Sequence, residues 1–528
     1  MQQFSRQFNE RLSLFNKDAL LSSLTGIQRG VERETLRINS DGSLAQTNHP
    51  QALGSALTHH FITTDFAEPL LEFITPPETL TKTTLAQLED THKFAIENIG
   101  DERLWPMSMP CYISREDDIR LAEYGSSNVG QMKHLYRKGL KNRYGSMMQT
   151  ISGIHFNFSL PDAFWQAYLP EVSDAGTGQN VISAAYFALV RNYRRFCWLL
   201  PYLYGASPTM CSSFLGSKNS NMNFEKFGKG SLYLPDATSL RMSDLGYTNN
   251  DQSRLRICYN HLDTYIAALR KAINTPSPQY EAYGGKVDGQ FRQLNSNILQ
   301  IENELYSPIR PKQPTISLEK PTDALESRGV SYIEVRVMDV NPFSPVGISQ
   351  QQMHFLDVFL LYCLLKPSDE FDMPGYEETE RNLKRVVVSG RRKGLMLEKN
   401  GVEIGLREWG NEMLDEMAEI ASLLDKANQT QVYTQALAKE KQAVNDASLT
   451  LSGQIVERLF ATGETLDNGK FGLTLADQYR QNFLKSNYQI LNEAFFKQQA
   501  ELSLKQQALV ESEDKVDFDT FMHQKFGV

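Results

Sequence analysis

The sequence predicts an α+β fold in which an antiparallel sheet packs one face against helices and leaves its other face open. Four segments alternate apolar residues with polar or charged residues, as strands with one packed face do. All 21 prolines lie at or before Pro374, and the chain beyond it is mostly helical in pattern. We therefore predict a sheet-and-helix domain over residues 1–374 and a mostly helical C-terminal region over residues 375–528 that packs on it.

The composition excludes several classes of protein. The 528 residues carry a formal net charge of −9, whereas a general nucleic-acid binder needs a basic face. The five cysteines are odd in number and form no CxxC pair, which indicates a reducing compartment without a disulfide framework. The N-terminus lacks the apolar core of a signal peptide, and the most apolar run, residues 355–365, is too short to span a bilayer and contains Asp357. We predict a soluble cytoplasmic protein that binds neither nucleic acid nor a membrane.

Helices are predicted where apolar residues recur at helical spacing. These segments are residues 1–25, 78–99, 178–205 and 254–273. Residues 126–144 are polar and basic, which is typical of a solvated helical face.

The first acidic segments lie near the N-terminus. Residues 26–38 have the pattern of a strand in which Glu32 and Glu34 share one face, and the Asp-Gly turn within residues 39–42 suggests a hairpin. Glu72 lies in an apolar run bounded by prolines, where a carboxylate is rarely buried without a partner.

Two alternating segments follow in the middle of the chain. Residues 151–160 place His155 and Asn157 opposite an apolar face, although a lone histidine there is more often hydrogen bonded than a ligand. Residues 295–306 place Glu302 and Glu304 on one strand-like face, ahead of a proline-rich loop.

Residues 331–339 alternate most regularly. The side chains predicted to face the core are Ile333, Val335 and Val337, and those predicted to face the open side are Tyr332, Glu334, Arg336 and Met338. A carboxylate and a guanidinium then stand side by side on one face. Taken alone, such a pair is more typical of an exposed ion pair, which is common and contributes little to stability.

If these segments share a sheet, several carboxylates crowd its open face. Two unit charges about 4 Å apart repel by roughly 4 kcal/mol at an effective dielectric constant near 20. Several such pairs exceed the net stability of a typical domain, so protonation, arginine or a divalent cation must neutralise them. Oxygen ligands with one imidazole suit Mg²⁺ or Mn²⁺ better than zinc, and such ions usually carry nucleotide phosphates.

The common nucleotide and hydrolase motifs are absent from the sequence. It contains no GxxxxGK[ST], GxGxxG, GxSxG or HExxH. An ATP site would therefore have to be built on the sheet face with metal ions.

Six stretches of the chain closely resemble the proteobacterial glutamate–cysteine ligases, also called γ-glutamylcysteine synthetases. They are GIQRGVERETLR (26–37), TTDFAE (63–68), DERLWP (101–106), QTISGIHFNFS (149–159), GASP (205–208) and YIEVR (332–336). The resemblance is dense from about residue 25 to 365 and much weaker beyond Pro374.

This resemblance implies a glutamine synthetase-like fold, with a curved antiparallel sheet whose open face holds ATP and Mg²⁺ or Mn²⁺ in the N-terminal, catalytic domain. It also implies the first step of glutathione synthesis. ATP phosphorylates the γ-carboxylate of L-glutamate, and the amine of L-cysteine attacks the γ-glutamyl phosphate. Feedback inhibition by glutathione and a monomeric state are further implications.

The resemblance also assigns site residues. The implied metal ligands are Glu32, Glu34, Glu72, His155 and Glu334, with Asp65 as an additional candidate. Arg336 matches the arginine that stabilises the transferred phosphoryl group. The implied cysteine-pocket residues are Tyr136, Arg241, Tyr247 and Tyr306. The adenine contacts are not assigned.

Two other functions are compatible with parts of this pattern. A related ATP-dependent carboxylate–amine ligase with another acceptor, such as γ-aminobutyrate or ammonia, would keep the metal ligands and Arg336 and change the acceptor pocket. A non-catalytic metal- or nucleotide-binding regulator would be expected to lose Arg336 or the carboxylates, which this chain retains.

Overall fold

An antiparallel sheet forms the centre of the fold. The computed structural model describes residues 2–216, 220–246, 255–460 and 466–527. The strands in these ranges are β1 (Gln28–Ile38), β2 (Ile62–Thr64), β3 (Leu70–Ile74), β4 (Arg103–Leu104), β5 (Gly153–Ser159), β6 (Thr209–Cys211), β7 (Glu225–Phe227), β8 (Ser231–Tyr233), β9 (Lys286–Val287), β10 (Gln290–Phe291), β11 (Ile309–Lys312), β12 (Tyr332–Asp339), β13 (Met396–Lys399) and β14 (Val402–Gly405). The central sheet has the order β11-β12-β5-β1-β3-β2, and β4 pairs with the end of β1.

Helices flank this sheet and make up most of the C-terminal part of the described chain. They are α1 (Gln2–Ser13), α2 (Asp18–Ser23), α3 (Thr81–Asn98), α4 (Asn128–Tyr144), α5 (Asp162–Val172), α6 (Gln179–Phe196), α7 (Leu199–Tyr204), α8 (Leu262–Asn274), α9 (Pro278–Glu281), α10 (Pro321–Arg328), α11 (Gln350–Leu365), α12 (Met373–Ser389), α13 (Leu406–Asn428), α14 (Val432–Asn445), α15 (Leu451–Phe460), α16 (Asn468–Lys485), α17 (Glu493–Ser512) and α18 (Phe518–Phe526). None of them combines the length and apolar character needed to span a bilayer. The predicted α+β class, an antiparallel sheet flanked by helices, is confirmed.

The strand register brings the polar residues of neighbouring strands side by side. Glu32 of β1 pairs with His155 of β5, and Glu34 pairs with Glu72 of β3. Glu334 of β12 pairs with Asn157 of β5. Because side chains alternate between the two faces of a sheet, these residues share the open face.

The opposite face of the sheet packs on an apolar core. Residues at the alternate positions, including Phe156, Phe158 and Val335, are at most 1% exposed. Helix α11 lies in this core and begins at a capping box in which Ser349 and Gln352 exchange side-chain and backbone hydrogen bonds.

The prediction of a strand at Glu302 and Glu304 is wrong. These residues form a short 3₁₀ helix, and both carboxylates are buried with local partners. Thr322 Oγ1 donates to Glu302 (2.8 Å), and Tyr144 donates to Glu304 (2.6 Å). The two acids face inward because they accept hydrogen bonds from α10 and α4, which a pattern over twelve residues does not distinguish from a strand face.

The predicted face of Met338 is also wrong. The pairing of β12 with β5 shifts between Val335 and Met338, which inserts one extra residue as a β-bulge. The bulge reverses the alternation, so Met338 joins the core at 1% exposure. Beyond it, Asp339 pairs with Gly153.

Four predicted elements differ in their extent. The helix predicted over residues 1–25 is divided into α1, which ends at Ser13, and α2, which begins at Asp18. The helix predicted over residues 178–205 is divided into α6 and α7, and the helix predicted from residue 254 begins at Leu262. The turn after β1 is present, but the returning chain makes only the bridge between Ile38 and Leu44. The hairpin is therefore minimal.

The C-terminal helices pack on the sheet domain. Tyr433 of α14 accepts a hydrogen bond from Arg29 Nη2 (3.3 Å), and Tyr479 of α16 donates to the carbonyl of Pro342 (2.6 Å). The division at Pro374 stays a prediction, and this proline lies in the first turn of α12.

A buried ion pair ties β1 to α11. Arg29 Nε and Nη2 donate to both carboxylate oxygens of Asp357 at 2.7–3.0 Å, and neither side chain is more than 2% exposed. Asp357, the charged residue in the most apolar run, is therefore a partner for an arginine on the packed face of the sheet.

We expect Asp357→Ala to lower the free energy of unfolding by about 3–5 kcal/mol, because it leaves the guanidinium of Arg29 buried without its anion. Urea unfolding followed by circular dichroism measures this. The double variant Arg29→Met/Asp357→Leu buries no charge and should recover much of the loss. A loss below about 1 kcal/mol in Asp357→Ala, the scale of an exposed pair, would contradict this account.

Candidate active site

A cavity of about 290 Å³ lies on the open face of the sheet. Ten of the predicted site residues line it: Glu32, Glu34, Asp65, Glu72, Tyr136, His155, Arg241, Tyr306, Glu334 and Arg336. Tyr247, the remaining predicted residue, lies outside the described residues. The strands, helix and irregular segments that carry these ten are far apart in sequence, and the fold brings them to one place.

The acidic residues converge around His155. One ligand atom from each of Glu32, Glu72 and His155 lies within 4.8 Å of the other two. His155 Nε2 is 3.7 Å from Glu34 Oε1, and His155 Nδ1 is 3.8 Å from Glu334 Oε1. The predicted convergence on one site is therefore present in the structure.

Two polar atoms of this cluster have no hydrogen-bond partner among the described residues. They are His155 Nε2 and Glu334 Oε2, and both are buried. Glu32 Oε2 lies 3.0 Å from His155 Nδ1, so a proton held on Nδ1 leaves the Nε2 lone pair to bind a ligand. A cluster of carboxylate oxygens and one imidazole, in which these two atoms are left to bind a ligand, fits a hard divalent cation such as Mg²⁺ or Mn²⁺.

One side-chain amide and one backbone N–H fix two of the carboxylates in place. Asn157 Nδ2 donates to Glu32 Oε1 (2.8 Å), and the backbone N–H of Gly153 donates to Glu34 Oε2 (2.7 Å). These bonds orient the oxygens that remain toward the cavity.

The acidity of the carboxylates differs across the cluster. Burial, reinforced by the charges of Glu32 and Asp65, raises the pKa of Glu72 well above its usual range. Burial alone would also raise the pKa of Glu334, but Arg336 and Lys312 hold it well below its usual range. One side of the cluster thus favours a proton or a metal ion, while the other is neutralised by side-chain cations.

Arg336 lies at the wall of this cavity. Its Nη1 donates to Glu334 Oε1 at 3.0 Å, and the two side chains are 14% and 2% exposed. The pair therefore differs from a solvated surface pair, because the carboxylate is buried and the guanidinium reaches the cavity.

Arg241 is buried beside Arg336. Its Nη2 donates to the carbonyl of Arg336 (3.0 Å), and its Nη1 is 3.9 Å from Asp339 Oδ1. A Cβ atom at Gly153 would lie 2.1 Å from Arg241 Nη2, so this close approach requires a glycine. The guanidinium is thus held firmly at the edge of the cavity.

Two of the predicted tyrosines form another wall. Tyr306 accepts a hydrogen bond from Gln149 Nε2 (2.7 Å), and its ring packs edge-on to Tyr144. Burial, with Glu304 nearby, raises the pKa of Tyr136 well above its usual range, so its phenol stays neutral.

The sequence patterns missed several residues of this cavity. Arg310 and Lys312 line it from edge strand β11, in a stretch interpreted as a proline-rich loop. The charged residues on either side of Pro311, Arg310 and Lys312, could have indicated an edge strand, because proline is tolerated on edge strands. Arg137 also lines the cavity, whereas residues 126–144 were predicted to face solvent.

Comparisons with known proteins identify the family of this chain. The model of the glutamate-cysteine ligase family matches residues 12–386. A glutamate–cysteine ligase of Pseudoalteromonas translucida is 48% identical over 504 residues, which cover 96% of this chain and 96% of that protein. A glutamate–cysteine ligase of Shewanella oneidensis is 48% identical over 526 residues, which cover 99% of each.

A solved structure is also similar over nearly the whole chain. It is the crystal structure of a glutamate–cysteine ligase from Francisella tularensis in complex with AMP. It has a TM-score of 0.87 and 38% sequence identity, and the match covers 95% of this chain and 97% of that one. This chain belongs to the glutamate–cysteine ligase family.

Proposed function

We propose that the cavity on the open sheet face joins the γ-carboxylate of L-glutamate to the amine of L-cysteine at the expense of ATP. The observation that carries this proposal is the convergence of the carboxylates, His155 and Arg336 in a chain of this family. The products are γ-glutamylcysteine, ADP and phosphate. This is the first step of glutathione biosynthesis.

The reaction divides into two displacements. First, a γ-carboxylate oxygen of glutamate attacks the γ-phosphorus of ATP, and ADP leaves. The cysteine nitrogen then attacks the acyl carbon of γ-glutamyl phosphate, and phosphate leaves as the amide bond forms. The amine loses its proton in this second step.

The carboxylate cluster fits the metal ions that such a phosphoryl transfer needs. The proposed ligands are Glu32, Glu34, Asp65, Glu72, His155 and Glu334. Bound Mg²⁺, or Mn²⁺ in its place, would offset the charge of the triphosphate. The chain contributes fixed oxygens for this ion and an imidazole that Glu32 orients through Nδ1.

Arg336 is the proposed catalytic residue. Its guanidinium is anchored on one side by Glu334 and borders the cavity on the other. Donors already oriented toward the transferring phosphoryl group stabilise charge as it redistributes, without reorganising during the step. Lys312 and Arg310 add positive charge from the neighbouring edge strand.

Arg241 and the tyrosines are proposed to bind cysteine. A guanidinium suits the substrate carboxylate, and the phenol rings of Tyr136 and Tyr306 bound a small thiol side chain. Tyr247 is proposed for the same pocket from the family resemblance alone.

A panel of amines tests this function directly. Phosphate release is measured with Mg²⁺, ATP, L-glutamate and one amine at a time, namely L-cysteine, γ-aminobutyrate or ammonia. We expect the largest kcat/KM with L-cysteine. A preference for another amine would instead assign the chain to a ligase with a different acceptor.

Four further properties rest on the resemblance and stay predictions. They are use of Mn²⁺ in place of Mg²⁺, feedback inhibition by glutathione, a monomeric state and a cytoplasmic location.

Substitution of the metal ligands should remove activity without unfolding the chain. We expect single Gln variants of Glu32, Glu34, Glu72 and Glu334 to lower kcat strongly and to require more Mg²⁺, because each removes an ionic ligand. Melting temperature should hold or rise in the Glu72 variant, because burial and the neighbouring carboxylates disfavour its charge, and should fall in the Glu334 variant, because Arg336 and Lys312 stabilise that charge. Glu403→Gln, at an exposed position on β14, is the matched control. Full activity and normal Mg²⁺ dependence in the site variants would refute the assignment.

Arg241→Ala should weaken cysteine binding more than ATP binding. Loss of a charge-assisted hydrogen bond costs about 1.5–3 kcal/mol, which is a roughly 10- to 150-fold rise in KM for cysteine. Because Arg241 also donates to the carbonyl of Arg336, thermal melts must accompany the kinetics. Equal increases in both KM values would place Arg241 in the scaffold instead.

Arg336→Ala should act mainly on kcat, because the guanidinium is needed most when charge redistributes in phosphoryl transfer. Arg336→Lys keeps the charge but loses the planar fork, so it should restore activity only in part. Steady-state kinetics measure both variants, with thermal melts as the control for folding. A kcat near that of the unmodified enzyme in Arg336→Ala would exclude the catalytic role.

A further inference from the structure

The C-terminal helix α18 docks on α4, the helix that lines the cavity. Met522 is fully buried in an apolar cluster with Leu135 of α4, Phe291 and Leu294. The ring of Phe518 packs edge-on against Phe291, with centroids 5.7 Å apart. The contact is therefore a packed apolar interface on the side of α4.

A second contact joins the segment before α18 to the start of α4. Asp514 Oδ2 accepts from the backbone N–H of Asn128 (2.6 Å), and Glu511 Oε1 accepts from that of Ser126 (2.8 Å). The first N–H groups of a helix lack intrahelical partners and carry partial positive charge, so two carboxylates there are stabilising. Gly125 has φ +80°, and a Cβ there would lie 2.2 Å from Gln507 Nε2, so the two segments of the chain approach closely.

The same apolar cluster reaches two parts of the cavity wall. Tyr136, which lines the cavity, packs against the cluster from α4. Ile301 packs against it from the segment that immediately precedes Asn303, Glu304 and Tyr306, which also line the cavity. Helix α18 thus shares one apolar cluster with both segments that carry these tyrosines or lead directly to them.

We infer that the C-terminal segment, residues 511–526, positions the cysteine-binding side of the cavity by clamping α4 against residues 301–306. The inference rests on the proposed function for its assignment of Tyr136 and Tyr306 to cysteine. The proposed metal ligands other than Asp65 lie on strands of the central sheet and are held by its backbone register. Release of the clamp should therefore affect cysteine more than ATP or Mg²⁺.

The test compares two variants that add the same charge to the same helix. Met522→Lys places an ammonium in the apolar cluster, whereas Gln524→Lys places it at an exposed position. We expect Met522→Lys to raise KM for cysteine about tenfold, because small displacements of positioning groups are costly, while KM for ATP and the Mg²⁺ dependence stay near those of the unmodified enzyme. Gln524→Lys should change none of them.

Two further measurements separate positioning from general damage. Limited trypsin digestion should cleave after Lys515, which lies away from both introduced lysines, faster in Met522→Lys than in Gln524→Lys, and this reports release of the segment. Met522→Leu keeps an apolar side chain in the cluster, so it should show the resistance to trypsin and the KM for cysteine of the unmodified enzyme. If Met522→Lys does not accumulate as folded protein, Met522→Ala and Asp514→Asn weaken the apolar and polar contacts separately, and each is expected to raise KM for cysteine.

The outcomes distinguish failure of this inference from failure of the proposed function. If the unmodified chain shows no cysteine-dependent phosphate release, the proposed function is wrong. If the unmodified chain is active and a variant that releases the helix keeps its KM for cysteine, the clamp is wrong. Equal increases in the KM values for cysteine and ATP would also overturn it, because they would indicate a general effect on the fold.

Discussion

The structure depends on how it neutralises the carboxylates gathered on one sheet face. Among the described residues, the acidic groups lining the cavity are Glu32, Glu34, Asp65, Glu72, Glu304 and Glu334. The cationic groups lining it are Arg137, Arg241, Arg310, Lys312 and Arg336. The cations are concentrated toward β11 and β12, whereas Glu72 lies toward the other edge of the sheet. This asymmetry suits the proposed binding of a divalent cation in one region and of an anionic phosphoryl group in the other.

Strand β1 balances part of this charge within its own sequence. Glu32 and Glu34 face the cavity, while Arg29, Arg33 and Arg37 occupy the alternate, packed face. Arg37 pairs with Glu102, as Arg29 pairs with Asp357. Arg33 donates to the backbone carbonyls of Glu34 and Trp105, and burial lowers its pKa to about 9. Asp357 and Glu102 thus offset two of these arginines, and the charge of Arg33 lies behind the acidic face, within reach of Glu34.

The sequence alone predicted the open-face residues of β1, β5 and β12 because a regular strand obeys a period of two. It failed at Met338, where a bulge changes that period. It also failed at Glu302, which is buried in a 3₁₀ turn and accepts a hydrogen bond from Thr322. It also placed α4 in solvent. A basic helix face has the same pattern whether it meets water or an acidic sheet, and only long-range packing decides which.

The two halves of the cavity are built from different kinds of structure. The proposed metal ligands, Asp65 excepted, and Arg336 lie on hydrogen-bonded strands, whose register fixes their spacing. The proposed acceptor residues lie on α4, near a 3₁₀ turn and in the irregular segment around Arg241. Sites on sheet strands hold catalytic geometry more firmly than sites on loops, which tolerate change. Phosphoryl transfer can therefore stay constant while the acceptor pocket varies, so the amine substrate depends on packing around the sheet more than on the sheet itself.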